Sequence, residues 1–189
     1  MCKLMSMDAY FFKKKRIENN LTLNELSIKC GLTNSYLNKI EKQTIHPNPR
    51  KMKILLHNYC IKEYSFMQFS SSSNYILNIM KKLYYMKFYE NNHDYLLTEI
   101  KKNKNSRYIA HLDLINCCYK MLYAKEDQNF KIEEKLIFEY LQSFEPFEQE
   151  FFLLCEMIYH ARKRDKDIYN QCLSLLNKIK QPQWLGLKL

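Results

Sequence analysis

The chain has 189 residues, a formal charge of +10 and seven cysteines, but only two glycines and four prolines. Gly31 and Gly186 cannot form a G-x-G-x-x-G or G-x-x-x-x-G-K-[ST] loop, so nucleotide sites that rest on glycine-cradled phosphates are excluded in their usual form. Scarce turn-formers favour helices over strands, and 47% apolar residues suffice for one large core or two small ones.

Helical patterning runs along the whole chain, and nowhere is alternation long enough for a strand. The first helix is expected over about 7–19, with Tyr10 and Ile17 on its buried stripe and Asn19-Asn20 ending it. Thr22 followed by Glu25 is a capping box that opens a second helix, which stops at Gly31. Thr33 caps a third helix through Tyr36, Leu37 and Ile40. The polar, proline-bearing stretch 43–49 is a loop, and Pro49 starts a fourth helix that runs to Asn58. A short helix near 62–69 leads into the serine run 70–73, the candidate domain boundary. Helical patterns then cover about 75–90, 93–102, 107–125, 130–144, 147–164 and 166–180, separated by short polar links that make neighbours antiparallel. They read as three hairpins that resemble tetratricopeptide stacking in length only, because the small-residue signature is thin. Aromatics at helical spacing, such as Tyr119, Tyr123, Phe138, Phe152 and Tyr159, are expected in the core. The tail 182–189 carries Trp184, the only tryptophan.

The charge is unevenly spread. Residues 1–60 hold eleven Lys/Arg against four acids, a net of +7, which leaves +3 for the other 129 residues. A small basic domain joined to a near-balanced larger one is the charge pattern of a nucleic-acid reader with an attached partner domain, although a solvated basic surface fits the count as well. The cysteines are odd in number and form no C-x-x-C. No charged apolar leader opens the chain and no run of about 18 apolar residues occurs, so a reduced, soluble, cytoplasmic protein without membrane attachment is expected.

One constellation is specific. The stretch LTLNELSIKCGLTNSYLNKIE consists of two short capped helices around the tight turn at Gly31, with Leu26, Ser27, Leu32, Leu37 and Ile40 where the helices must touch. Its second helix presents Asn34, Ser35, Asn38 and Lys39, short polar groups and one cation able to face base edges. With Arg16 before it and Pro47 after it, the segment 8–60 resembles the Cro/CI-type helix-turn-helix, the xenobiotic-response-element family. That resemblance implies base reading by Asn34, Ser35, Asn38 and Lys39, and phosphate contacts by Thr33, Lys42, His46, Arg50 and Lys51. It also implies a structural ion pair between Arg16 and Glu41, rather than a DNA contact by Arg16. Two positions depart from the family pattern: Leu23 stands where a phosphate-contacting Gln is common, and Gln43 where Gly is favoured. The basic domain followed by stacked hairpins is also similar to the Rgg and PlcR type of peptide-responsive regulator, in a shortened form.

The fold expected is therefore all-α: a helix-turn-helix bundle of four to five helices over 1–69, then about six antiparallel helices over 70–189. The function expected is a sequence-specific transcriptional regulator that binds a palindromic operator in double-stranded DNA as a homodimer, with a peptide or other effector acting through the C-terminal domain. The alternative is a protein-interaction module, adaptor or antitoxin-like, whose helix-turn-helix does not read DNA. No catalytic triad, glycosidase pair, zinc spacing or cofactor motif is readable, so neither an enzyme nor a metal is expected. Cys117-Cys118 near His111 reads as core thiols, and the acid clusters Glu133-Glu134 and 145–150 read as solvated helix starts.

Overall fold

The computed structural model describes residues 3–68, 90–123 and 130–179. The serine run, most of the helix expected over 75–90 and the tail with Trp184 lie outside the described residues. Among the described residues the chain is all-helical, as the sequence predicts. The helices are α1 (Lys3–Glu18), α2 (Leu23–Cys30), α3 (Asn34–Glu41), α4 (Pro49–Asn58), α5 (Glu63–Met67), α6 (Glu90–Asn103), α7 (Ile109–Tyr123), α8 (Lys131–Glu139), α9 (Pro146–Lys163) and α10 (Lys166–Leu176). A 3-10 turn over Leu141–Ser143 follows α8. No helix among them is long and apolar enough to cross a membrane.

The chain divides into two compact units. One comprises Met1–Ser72 and Thr98–Ala110, the other Ser73–Leu97 and His111–Leu189. The first packs around Tyr10, Phe11 and Phe12 of α1 with Leu37 and Ile40 of α3 and Leu55 of α4, all buried. Phe66 of α5 meets Phe11 edge-on at 5.0 Å and stacks on Phe12 at 5.7 Å. The second unit buries Leu112, Ile115, Cys117 and Cys118 of α7 and Phe151, Phe152 and Cys155 of α9. Six cysteines, Cys30, Cys60, Cys117, Cys118, Cys155 and Cys172, are free thiols, four of them buried.

Helix starts follow the sequence closely. Thr22 and Glu25 form a reciprocal capping box, Thr33 Oγ1 accepts from the Tyr36 amide, and Asn48 Oδ1 accepts from the Lys51 amide ahead of Pro49. Glu25 is held below the usual carboxylate range by the Thr22 backbone and hydroxyl. The acid cluster at the start of α9 differs from expectation. Glu148 and Glu150 are buried rather than solvated. Glu148 Oε2 accepts from the Glu145 amide, and Glu148 Oε1 lies 2.6 Å from His111 Nδ1. That partner, from a helix far away in sequence, is what permits burial of the carboxylate.

Helix ends are more uniform than the glycine count suggests. Asn20, Gly31, Gln43, Cys60 and Arg164 all have φ between 53° and 64°. Each follows a helix whose next amide reaches back to the last turn: Leu21 to Arg16 O, Leu32 to Ser27 O, Thr44 to Lys39 O, Ile61 to Leu56 O, and Asp165 to His160 O. This is the Schellman arrangement, in which a left-handed residue lets orphan carbonyls find donors. Only one of the five is glycine. Gly31→Ala is therefore expected to cost about 1 kcal/mol of stability, although its Cβ would meet nothing within 4 Å. Gln43→Gly is expected to gain roughly 0.5–1 kcal/mol, because relief of the left-handed cost outweighs the added freedom of the unfolded chain. Urea denaturation of the two variants, read by circular dichroism, should move in opposite directions.

Candidate nucleic-acid interface

Helix α3 is the second helix of the turn at Gly31. Leu37, Ile40 and Glu41 face inward. Of the residues predicted to read bases, Asn34, Ser35 and Lys39 are exposed and Asn38 is half-buried. The separation follows largely from helical periodicity: 37 and 40 share one side and 35 and 38 another, while 34 stands in the first turn. Asn34 Nδ2 lies 3.4 Å from Asn24 Oδ1, a long and weak contact between the exposed faces of α2 and α3. The amides of the first turn lack intrahelical acceptors. Thr33 Oγ1 takes that of Tyr36, so those of Asn34 and Ser35 are available at the positive end of the helix.

The inward side is fixed by an ion pair. Arg16 Nε donates to Glu41 Oε1 at 2.6 Å and Arg16 Nη2 donates to Glu41 Oε2 at 2.8 Å, while Nη1 donates to Leu21 O at 2.9 Å. Glu41 is 7% exposed and Arg16 14%, so the pair is shielded and the guanidinium points into the bundle. Its two-pronged geometry sets where α3 sits against α1.

The residues predicted to hold phosphate divide into two groups. Lys42 and Arg50 are exposed, and so is Thr33 at the tip of α3. Lys51 and His46 already have protein partners. The Lys51 ammonium stands 3.8 Å from the centre of the Tyr36 ring, a cation–π contact between α4 and α3. His46 Nε2 lies 2.7 Å from Asp8 Oδ2, with the imidazole 42% exposed and the carboxylate fully buried. Asp8 also pairs with Arg107 through Oδ1. Burial pushes the Asp8 carboxyl up, against the opposing pull of Arg107 and His46. Sequence reasoning missed Asp8, Tyr36 and Arg107. Asp8 lies on the side of α1 opposite the stripe of Tyr10 and Ile17, so the periodicity gave no signal for it.

A short turn between two capped helices, the second of them anchored inside and polar outside, defines a helix-turn-helix. Comparison with known families agrees: residues 12–59 match the family model described as Helix-turn-helix, of the Cro/CI type. This domain supports a DNA-binding role of the transcription-regulator kind. Neither the comparison with curated proteins nor that with solved structures found a match.

The second unit holds a further cluster that the sequence did not reveal: Glu134, Glu156 and His160. Burial, with Glu134 beside it, pushes the Glu156 carboxyl up to about 9. Glu156 and His160 stand one turn apart on α9, a spacing visible in the sequence, but only the fold brings Glu134 to them.

Proposed function

We propose that the protein is a sequence-specific transcriptional regulator. In this reading residues 1–69 bind double-stranded DNA and residues 70–189 supply homodimer contacts and an effector site, for which a peptide is one candidate. The protein works in the cytoplasm. The observation that carries the reading is the exposed face of α3, with Asn34, Ser35 and Lys39 outward on a helix locked from behind by Arg16 and Glu41. One helix of this length reaches few base pairs, so useful discrimination calls for two copies on a palindrome with half-sites about one helical turn apart.

Selection of binding sites from genomic DNA, followed by footprinting, tests this reading. Asn34→Ala and Lys39→Ala are expected to weaken the selected operator by about 1–3 kcal/mol per lost base contact and to relax its sequence preference. Arg50→Ala is expected to weaken all sequences alike and to lower the salt slope by about one. Retention of full affinity and specificity by both α3 variants would remove the site assignment.

A second reading is favoured by particular residues. Leu23 supplies no phosphate donor, and His46 and Lys51 are engaged with Asp8 and Tyr36. A helix-turn-helix that has lost such contacts can serve as a protein-interaction module. Failure of the purified protein to retard any genomic fragment at low salt would favour that alternative.

A further inference from the structure

In the second unit three side chains from two helices converge without satisfying one another. Glu134 comes from α8, and Glu156 and His160 from α9. One ligand atom from each lies within 4.8 Å of the others. His160 Nε2 is 3.2 Å from Glu156 Oε2 and 3.8 Å from Glu134 Oε1. Glu156 is fully buried and His160 is 8% exposed at its side chain. Yet neither oxygen of Glu156 and neither ring nitrogen of His160 has a hydrogen-bond partner of acceptable geometry. Four buried polar atoms with ion-pair neighbours but no well-directed hydrogen bond are costly in one place and call for an explanation.

A metal ion would engage His160 Nε2 and the Glu156 carboxylate, leaving His160 Nδ1 to Asp165. Around a tetrahedral ion with bonds of 2.0–2.1 Å, neighbouring ligand atoms stand about 3.3 Å apart, which His160 Nε2 matches to Glu156 at 3.2 Å and approaches to Glu134 at 3.8 Å. One imidazole nitrogen and two carboxylates suit zinc and similar first-row ions better than magnesium or calcium, which favour all-oxygen shells. The surroundings fit too. The left-handed turn at Arg164 brings the Asp165 amide onto His160 O. Asp165 Oδ1 then caps α10 by accepting from the Ile168 amide, while Oδ2 lies 3.5 Å from His160 Nδ1. A carboxylate facing the far nitrogen of a ligating histidine is the outer-sphere partner that orients the ring and leaves Nε2 to the metal. Glu134 and His160 also line an open groove of about 1070 Å³, which gives an entry path.

We propose that Glu134, Glu156 and His160 form a binding site for a divalent first-row transition-metal ion, zinc being the best match, with Asp165 as a positioning residue. The site is independent of the DNA-binding reading and stands or falls without it.

The test is titration of the full-length, chelator-stripped, reduced protein with Zn²⁺ against a chromophoric competitor, and with Co²⁺ read by absorption. The wild-type protein should take up one equivalent at this site, with cobalt d–d bands and no thiolate-to-cobalt charge-transfer band. Glu156→Gln keeps the shape of the buried side chain and should weaken uptake at least 100-fold, as should His160→Gln. Asp165→Asn retains a capping oxygen and should weaken it about 10-fold to 100-fold. Circular dichroism of each variant confirms that it is folded. The proposal is overturned if the wild type shows no saturable uptake at micromolar metal. It is equally overturned if Glu156→Gln and His160→Gln bind as wild type does, or if cobalt reports thiolate ligands.

Discussion

Asp8→Ala is expected to lower the stability of the first unit by about 3–5 kcal/mol, the usual consequence of stripping one partner from a buried ion pair. Asp8 is fully buried and Arg107 is 7% exposed, so the guanidinium would remain in a site that water scarcely reaches. Three further contacts are with uncharged groups. The guanidinium lies 5.1 Å from the Phe66 ring, Nη1 donates to Met67 Sδ at 3.2 Å, and the Arg107 amide donates to Phe66 O. These contacts fix the guanidinium in place without neutralising it. His46 would lose its carboxylate as well. A urea titration followed by circular dichroism should show the first unit unfolding at a lower concentration.

The reciprocal variant carries a pH signature. In Arg107→Met the Asp8 carboxyl keeps its burial and loses its strongest opposing influence. Its folded pKa, already raised by burial, rises further. A carboxyl raised on folding binds more protons in the native state, so its stability is fullest at acid pH and declines as pH climbs through the folded value. The Arg107→Met penalty should therefore be small near pH 4 and grow toward pH 8. The double variant Asp8→Ala with Arg107→Met removes both charges and should be more stable than Asp8→Ala alone, since no uncompensated charge is left behind.

That pair also marks where sequence reasoning stopped. The caps at Thr22 and Thr33 were legible because an N-cap is a local contest between one side chain and the next turn's amides, and Pro49 marked the start of α4. Hence the starts of α2, α3 and α4 fell where the residues put them. The polar outer face of α3 was legible for the same reason, being a matter of period. The left-handed residues Cys60 and Arg164 were harder, because neither is the glycine or asparagine that usually announces such an end. Buried acids were least legible of all. Glu148 at a helix start reads as solvated until His111 is placed beside it, and only the fold brings Glu134 to Glu156. The segment Thr98–Ala110, which packs with the first unit, gave no local sign of doing so, since Asp8 and Arg107 are distant in sequence and neither forms a motif.

Arg16 provides the sharpest separation between fold and recognition. It follows three lysines on α1 in the most basic stretch of the chain, and on charge alone it looks like a phosphate contact. Its guanidinium is instead spent on both oxygens of Glu41 and on Leu21 O. Glu41→Ala is expected to cost about 3 kcal/mol or somewhat more, toward the lower end of the range for broken buried pairs because Arg16 keeps slight solvent access at 14% exposure. The consequence for DNA is distinct from that of losing a base contact. Since Glu41 ends α3 from within, its removal lowers the population with a correctly seated recognition helix, and affinity for every sequence should fall by that fraction. Discrimination between the selected operator and a single-base variant should stay nearly constant, whereas Asn34→Ala should erode it. Arg16→Met adds the decisive measurement. If Arg16 is structural, the slope of log affinity against log salt is unchanged once the folded fraction is taken into account. A slope reduced by about one would instead make Arg16 a phosphate ligand and the ion pair incidental.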